Sequence, residues 1–338
     1  MVRNYSAQGL TVDKCLDIVR LSKNQYYHKS TGQPKGRRPS TTTLRKDRTT
    51  QQVYEVDNKD VVDRIVSIKL DPDHANYYRL ITKTLCLDGF YINHKKVYRL
   101  MYEYILLEPK SRTGKKKYVQ HRRVAPKGPL EVLEMDIKYF WVQGKRRYAY
   151  VLTVIDTFSR YVLHWDVGYS MKGSQVKALW EYIIANYLQK HKSGLNSLDI
   201  EVRSDNGSQF SSNEVVMFFE QNELTRVFTH PYTPEENGHV ESFHKTIGKS
   251  LSKDSFMELS DLENRLSTFY LAYNNKRAHG STLGLPPSIF WALYDEDAIE
   301  VLRNEEKRSL KFKLKVAYQD ILDLTHIDRY QYRVDRAS

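Results

Sequence analysis

The chain is poor in cysteine and has no long apolar run. Only two of its 338 residues are cysteines, Cys15 and Cys86, and they lie far apart in segments that predict helices. Two distant thiols exclude a multi-cysteine zinc site and the disulfide framework of a small secreted domain. No apolar stretch approaches the roughly 18 residues that a membrane span needs, and the first residues lack the apolar core of a secretion signal. We therefore expect a soluble protein of a reducing compartment without a membrane partner.

The positive charge lies mainly in the first third of the chain. The net charge is +12, and residues 1–125 contain 26 Lys and Arg against 12 Asp and Glu. Residues 126–300 contain 18 Lys and Arg against 23 Asp and Glu, and residues 301–338 contain 9 Lys and Arg against 6 Asp and Glu. This division indicates basic modules that hold nucleic acid, attached to a domain rich in carboxylates. A solubility tail is the alternative, but the helical patterning of the basic third favours folded modules.

Residues 1–30 predict a small helix-turn-helix domain. Thr11 can cap a helix that runs to Val19, and Ser22 begins a second helix with a capping-box pattern. In such a domain the second helix meets base edges or phosphates at its start. An ordinary helical hairpin would have the same pattern. The predicted DNA contacts on the second helix are Lys23, Asn24 and Gln25.

Residues 57–108 predict a second helical domain of the same type. Three apolar patterns of helical period follow one another, and Asp71-Pro72-Asp73 stops the first of them. Asn93 can cap the third helix, whose outer face is basic. A structural bundle with a solvated basic face is the alternative. The predicted DNA contacts on the third helix are Lys95, Lys96 and Arg99.

Residues 31–56 and 109–130 have the composition of basic linkers. Both contain Gly, Pro and several cationic side chains, and the first also carries a run of Ser and Thr. In a linker that follows DNA phosphates, cationic side chains make DNA affinity depend on salt. Each phosphate that they neutralise steepens the plot of log affinity against log salt concentration by about one unit. The predicted DNA contacts in these linkers are Arg37, Arg38, Lys115, Lys116, Lys117, Arg122 and Arg123.

From residue 131 the pattern changes to that of an α/β domain. Three strands follow one another along the chain, and helices then alternate with two further strands. We expect a mixed five-stranded sheet with helices on both faces over residues 131–295. This order is typical of a ribonuclease-H-like catalytic core, here preceded by the two small all-α domains. Residues 296–338 form a basic tail of unknown role, and the alternation in Lys307–Lys315 predicts a short strand.

Asp136 is a charged residue inside an apolar strand, between Met135 and Ile137. A buried carboxylate is costly unless it is paired or binds a metal ion, so this position indicates a metal site. Glu134 is the rival ligand, because residues two apart on a strand share one face. We favour Asp136.

Two further carboxylates complete a candidate site. Asp205 ends a predicted strand and begins Asp205-Asn206-Gly207, which is equally good turn chemistry. Glu241 lies one turn into a helix and shares a face with Lys245 and Lys249, which an exposed ion-pair stripe would also explain. Two carboxylates at strand ends and one on a helix can hold two divalent ions, which bind the attacking and the leaving oxygen of a phosphodiester.

These residues carry a resemblance to a known family. The order Asp136, Asp205 and Glu241, with 35 residues between the last two, resembles the catalytic triad of DDE transposases and retroviral integrases. The segment Pro231–Ser242 is similar to the integrase motif around its glutamate. Segments that resemble bacterial insertion-sequence transposases are Val97–Met101, Val154–Arg160, Tyr273–His279 and Leu285–Pro287. The chain best resembles the second-frame product of two-frame, copy-out–paste-in insertion sequences.

The resemblance implies a metal-dependent enzyme of DNA transposition. Two Mg²⁺ or Mn²⁺ ions per site would be held by Asp136, Asp205 and Glu241. The implied reaction binds the terminal repeats of an insertion sequence, nicks DNA and joins 3′-hydroxyl ends to phosphodiesters by transesterification. The DNA contacts implied near the site are Asn237, Lys245, Lys249 and Arg277.

The chain departs from the family pattern at several positions. Gly248 stands where integrases commonly carry a second basic residue, seven positions after the glutamate, and Lys138 stands where many relatives have threonine. The His/His/Cys/Cys zinc module of integrases is absent. We expect Asp156 to be a structural hairpin residue, while Arg277 either touches DNA or closes a helix end.

The implied partner is double-stranded DNA, as element ends and as target. Both ends must be held at once, so a homodimer or higher oligomer on DNA is expected. An upstream-frame partner or an N-terminal fusion could complete the first domain. The implied location is the bacterial cytoplasm, on the nucleoid when DNA is bound. Two alternatives remain open, a transposase-derived repressor without catalysis and a hydrolytic nuclease of the same fold.

Overall fold

The computed structural model of the protein forms two compact units, Met1–Thr41 and Thr42–Ser338. The residues that it describes are 1–28, 39–47, 49–108, 124–189, 199–228, 237–306, 309–318 and 320–321. The DNA contacts predicted for the two linkers lie outside the described residues, and they are Arg37, Arg38, Lys115, Lys116, Lys117, Arg122 and Arg123. The division of the second unit into further domains stays a prediction.

The first unit contains three short helices. They are α1 (Val2–Ala7), α2 (Val12–Val19) and α3 (Lys23–Tyr27). The Thr11 hydroxyl accepts a hydrogen bond from the Lys14 N–H at 3.4 Å, and Ser22 and Gln25 form the predicted capping box. The predicted caps of α2 and α3 are therefore confirmed. Contact of this unit with DNA stays a prediction.

Residues 42–108 combine three helices with a small antiparallel sheet. The helices are α4 (Asn58–Leu70), α5 (Tyr78–Leu87) and α6 (His94–Glu103). The strands are β1 (Thr42–Lys46), β2 (Val53–Asp57) and β3 (Phe90–Tyr91), in the order β2-β1-β3. Ile65, Leu85 and Val97, one from each helix, are fully buried together. The three predicted helices and the Asn93 cap are confirmed.

This small sheet corrects two predictions. The linker predicted to run to residue 56 contains β1 and most of β2, and the domain predicted to be all-α contains strands. The error has a physical reason, since Thr and Leu form a strand only where a partner strand is available. For β1 one partner is β3, which follows α4 and α5 in the chain and places Arg45 opposite Phe90.

Five strands form the predicted mixed sheet. They are β4 (Val132–Val142), β5 (Arg147–Asp156), β6 (Val162–Gly168), β7 (Ile200–Ser204) and β8 (Leu224–Phe228). Their order is β6-β5-β4-β7-β8. The first three strands pair antiparallel, while β7 runs parallel to β4 and β8 runs parallel to β7. The central strand β4 therefore has neighbours on both sides near its start, but β7 accompanies only its first few residues.

Helices cover both faces of this sheet. One face carries α7 (Gly173–Ile183), which a π-helical turn extends to Leu188, and α8 (Asn213–Gln221). The other face carries α9 (Gly238–Ser250) and α10 (Leu259–Asn275). Trp180 and Phe219 are buried in the first layer, and Phe243 and Tyr270 are stacked in the second with ring centroids 5.6 Å apart. The predicted ribonuclease-H-like architecture is confirmed.

The last described elements pack beside the sheet. They are α11 (Pro287–Asp295) and an antiparallel hairpin of β9 (Ile299–Asn304) and β10 (Ser309–Leu314). Phe158, Phe290 and Ile299 are buried together in their core. The short strand predicted within 307–315 is confirmed by β10. Among the described helices, none is both long enough and apolar enough to cross a membrane.

Candidate active site

Strand β4 carries acidic residues on one face and apolar residues on the other. Leu133 and Met135 point into the core beneath α7, because side chains alternate along a strand. Glu134 and Asp136 therefore face the layer that contains α9. Asp136 pairs with Thr153 across the β4–β5 ladder, and its side chain is 22% exposed. A carboxylate thus reaches the boundary between the sheet and α9.

The register of two parallel strands brings Asp205 towards Asp136. Val132 pairs with Glu201, and this register continues to the pair Glu134–Arg203. Extended by two residues, it places Asp136 beside Asp205, at the point where β7 ends. The carboxyl ends of parallel strands are where functional groups collect in such sheets. Asp205 also makes the predicted turn, since its Oδ1 accepts a hydrogen bond from the Gly207 N–H at 3.0 Å.

Glu134 anchors the beginning of α9. Its Oε2 accepts hydrogen bonds from the backbone N–H groups of His239 at 2.9 Å and Val240 at 2.8 Å, and its Oε1 lies 2.6 Å from His239 Nδ1. The Glu134 side chain is fully buried. A carboxylate suits this place because the first N–H groups of a helix lack intrahelical acceptors. Both oxygens of Glu134 are engaged, which leaves Asp136 as the carboxylate of β4 that faces the site.

We predict that Glu134→Ala lowers the free energy of unfolding by several kcal/mol. Each buried donor left without a partner costs about 1–3 kcal/mol, and three donors are affected. Glu134→Gln should cost less, because its amide oxygen still accepts one of these hydrogen bonds. Urea unfolding measures the difference. Glu181→Gln is the control, since Glu181 pairs with Lys177 at 3.9 Å on the surface of α7. An Ala variant as stable as that control contradicts the anchoring role.

The anchored helix places Glu241 in the same negative region as the two aspartates. Burial raises the pKa of Glu241, the charge of Lys245 opposes this, and the charge of Asp136 adds to it. Burial also raises the pKa of Asp205, the Gly207 N–H opposes this, and Asp136 again adds to it. Asp136 therefore lies within electrostatic range of both other carboxylates.

These carboxylates do not form a closed coordination sphere. Among the residues that the structure describes, no three His, Cys, Asp or Glu side chains are close enough to hold a metal ion together. Concentrated negative charge favours a cation, but the assignment of Asp136, Asp205 and Glu241 as metal ligands stays a prediction.

His244 is a site residue that the sequence reasoning missed. It lies one helical turn after Glu241, and its Nδ1 is 3.3 Å from Asp136 Oδ2. The ring is mostly buried, and its Nε2 has no hydrogen-bond partner within the described part of the chain. The available signal was the i, i+3 spacing from Glu241, which places both side chains on one face of the helix.

Several predicted DNA contacts are engaged inside the protein. The mostly buried Arg277 guanidinium donates to the Asp73 carbonyl at 2.7 Å, which is the internal alternative left open by the sequence. Lys96 Nζ donates to the Thr42 carbonyl at 2.6 Å, and Asn237 is only 6% exposed. Lys96 and Arg277 thus have partners inside the protein, whereas the Asn237 Oδ1 is buried without a hydrogen-bond partner within the described residues, and binding of DNA by these three residues stays a prediction.

The remaining predicted contacts lie nearer the surface. Lys23 forms an ion pair with Asp13 at 2.8 Å, Gln25 is used in the capping box, and Asn24 is exposed. On α6, Lys95 is exposed and Arg99 pairs with Glu103 at 3.7 Å. On α9, Lys245 and Lys249 are exposed, and Lys249 lies 3.9 Å from Glu108. Binding of DNA by these residues stays a prediction.

Comparison with protein families decides what kind of domain this is. Residues 126–234 and residues 222–287 each match a family model described as an integrase core domain. The chain contains an integrase core domain. Asp136 and Asp205 fall within the first match and Glu241 within the second, so the integrase core includes all three candidate carboxylates.

Relatives of the integrase core include proteins of bacterial insertion elements. The chain is 27% identical over 231 residues to the uncharacterized 39.2 kDa protein of insertion element IS476 from Xanthomonas euvesicatoria, covering 67% of this chain and 64% of the relative. It is 28% identical over 241 residues to transposase InsD of insertion element IS2 from Escherichia coli, covering 70% of this chain and 74% of that protein. The predicted family, the DDE transposases of insertion sequences, is confirmed.

Solved structures also resemble the integrase core. The catalytic domain of Mos1 mariner transposase matches with a TM-score of 0.37 and 12% identity, covering 42% of this chain and 71% of that one. The HTLV-2 integrase catalytic core domain in complex with magnesium matches with a TM-score of 0.36 and 17% identity, covering 48% and 95%.

Proposed function

We propose that this protein is a DNA transposase, a metal-dependent polynucleotidyl transferase that nicks DNA and joins 3′-hydroxyl ends to phosphodiesters. The observation that carries the proposal is the position of Asp136. The β4–β7 register brings Asp205 to one side of Asp136. Helix α9 carries Glu241 close enough to Asp136 for the charge of Asp136 to raise the pKa of Glu241. These three residues are the carboxylates whose order and spacing resemble the DDE motif.

The three carboxylates would together hold two Mg²⁺ or Mn²⁺ ions. These hard cations prefer oxygen ligands, and a cation would offset the burial and the charge of Asp136 that raise the pKa of Asp205 and of Glu241. Such a pair of ions, when bound, stabilises the entering and the leaving oxygen of a phosphodiester.

Side chains of the protein would orient the substrate around this site. Glu134 holds the start of α9 against β4 and so fixes the height of Glu241 above the sheet. His244 contacts the Asp136 carboxylate and restricts its rotation. Lys245 is exposed one turn beyond Glu241, where its ammonium would bind a phosphate of the strand being cut.

The proposed substrate is double-stranded DNA, both the terminal repeats of an insertion sequence and a target. The basic first third of the chain would hold the element ends through α3 and α6. Joining requires two DNA ends at one time, so we infer a homodimer or a higher assembly on DNA. The reaction would take place in the bacterial cytoplasm, on the nucleoid.

A strand-transfer assay tests this proposal. The full chain is incubated with end-labelled duplexes taken from the DNA that flanks its coding sequence, together with a supercoiled plasmid. We expect nicked ends and plasmid-joined products with Mg²⁺ or Mn²⁺, and neither product with EDTA. Cleavage without joining, even from pre-nicked ends, would instead identify a hydrolytic nuclease. Binding of the duplex without cleavage would identify a repressor.

A further inference from the structure

Lys138 is a half-buried lysine two residues after Asp136 on β4. It shares the face of the strand with Asp136, because the two positions differ by one full period of the pleat. Its neighbour across the β4–β5 ladder is Val151, and helix α9 covers this face. Lys138 therefore lies at the same boundary between sheet and helix as the proposed catalytic carboxylates.

The end of the Lys138 side chain lies against Gly248 of α9. A Cβ atom built at position 248 would be 3.3 Å from Lys138 Cε and 3.4 Å from Lys138 Nζ. The ammonium therefore occupies the space into which a side chain at position 248 would project. Glycine inside a helix costs roughly 0.5–1 kcal/mol relative to alanine, so its presence here is consistent with a need for that space.

The surroundings of Lys138 do not neutralise its charge. Within the described ranges, no carboxylate forms an ion pair with Lys138, and its Nζ lies 5.8 Å from the centroid of the Phe140 ring. Gly248 follows Glu241 and Lys245 by seven and three residues, so all three lie along one side of α9. A partly buried cation without a counter-ion is unfavourable unless an anion completes the site.

The structure assigns Lys138 as a phosphate-binding residue of the integrase core. Its ammonium passes across Gly248 and binds a phosphodiester oxygen of the DNA strand next to the phosphate held at Asp136, Asp205 and Glu241. The inference rests on the proposed function, since the anion is a DNA phosphate. In this arrangement Lys138, on strand β4 beneath the helix, supplies a positive charge at the place where α9 has only Gly248.

A charge-relocation experiment tests the assignment. Lys138→Met removes the ammonium while keeping the length of the side chain. We expect a loss of DNA joining of about tenfold or more, and a salt slope of DNA affinity smaller by about one unit when binding is measured in EDTA. Combining Gly248→Lys with Lys138→Ala should restore most of the joining activity and of the salt slope, because alanine vacates the space into which a lysine at position 248 projects. Lys177→Met, on the opposite face of the sheet, is the matched control.

Each outcome decides the assignment. The assignment is overturned if Lys138→Met joins DNA at the wild-type rate and keeps the wild-type salt slope. It is also overturned if the double variant does not recover joining and salt slope. Thermal unfolding shows whether the variants fold. If Lys138→Met does not fold, Lys138→Arg is tested in its place. Because arginine keeps the positive charge, this variant must retain the wild-type salt slope. A wild-type chain that binds but never joins DNA refutes the proposed function, whereas joining that does not depend on Lys138 refutes only this inference.

Discussion

Replacing Asp136 by asparagine should abolish DNA nicking and joining while leaving DNA binding intact. Asp136 is the carboxylate whose charge reaches both Asp205 and Glu241, and asparagine keeps its shape without that charge. Loss even of an outer partner of a metal site typically costs about 10- to 100-fold, so loss of a central ligand should cost at least about a hundredfold. The strand-transfer assay measures the rate, and a gel-shift titration measures affinity for the same duplex.

Asp297→Asn is the matched control for this experiment. Asp297 lies in the same unit and forms an exposed ion pair with Lys315 at 2.8 Å, and its backbone φ of 55° suits asparagine. It should retain full joining activity. An Asp136→Asn variant that still joins DNA at the rate of this control would refute the assignment of the triad, whereas equal loss in both would indicate a general effect on the fold.

Replacing Asp73 by alanine should cause the largest loss of stability. Asp73 is 6% exposed and accepts hydrogen bonds from Arg265 Nη1 at 3.0 Å and Nη2 at 2.7 Å, and from the Ser250 hydroxyl. Removing one partner of a buried ion pair typically costs about 3–5 kcal/mol, because the other charge stays buried without compensation. Asp73 lies between α4 and α5, and Arg265 lies on α10, so the change also loosens the basic helical domain from the integrase core. Urea unfolding measures the loss.

The same aspartate gives stability a defined pH dependence. Burial raises the pKa of Asp73, but hydrogen bonds from Arg265 and Ser250 and the charges of Arg265 and Arg277 outweigh it, so the pKa lies below the ordinary 3.8. A carboxyl whose pKa is lowered by folding stabilises the native state above its unfolded pKa. The advantage of the wild type over Asp73→Asn should therefore be complete at neutral pH and decline as the pH falls through the folded pKa.

Asp254→Ala provides the comparison for Asp73. Asp254 accepts from Nε of the same Arg265 at 2.8 Å, but its side chain is 34% exposed. Solvent can replace this contact, so we expect a much smaller loss of stability. Equal losses of stability in Asp73→Ala and Asp254→Ala would show that burial of Asp73 does not strengthen its contribution to stability.

The amino-acid sequence by itself determined the local elements and the family. The Ser22–Gln25 capping box and the Asn93 cap depend on neighbours within a few residues, and the five core strands show their apolar pattern along the chain; all were predicted correctly. The spacing of Asp136, Asp205 and Glu241 identified the integrase core for the same reason, since such motifs are read directly along the chain. The hairpin role predicted for Asp156 is partly local, because its carboxylate accepts from the N–H and the hydroxyl of Ser159 but also from the distant Leu130 N–H.

Only the tertiary structure decided what the buried polar residues do. Glu134 and His239 are 105 residues apart, and Asp73 and Arg265 are 192 apart, so no local pattern could pair them. The strand β1 forms between two partners, β2 directly after it in the chain and β3 beyond two helices. Lys138 and Gly248 are 110 positions apart in the sequence, and only the packing of α9 on β4 brings them into contact. The sequence shows which residues are charged. Their partners depend on which distant segments pack together and exclude water, and no short stretch of the chain determines that packing.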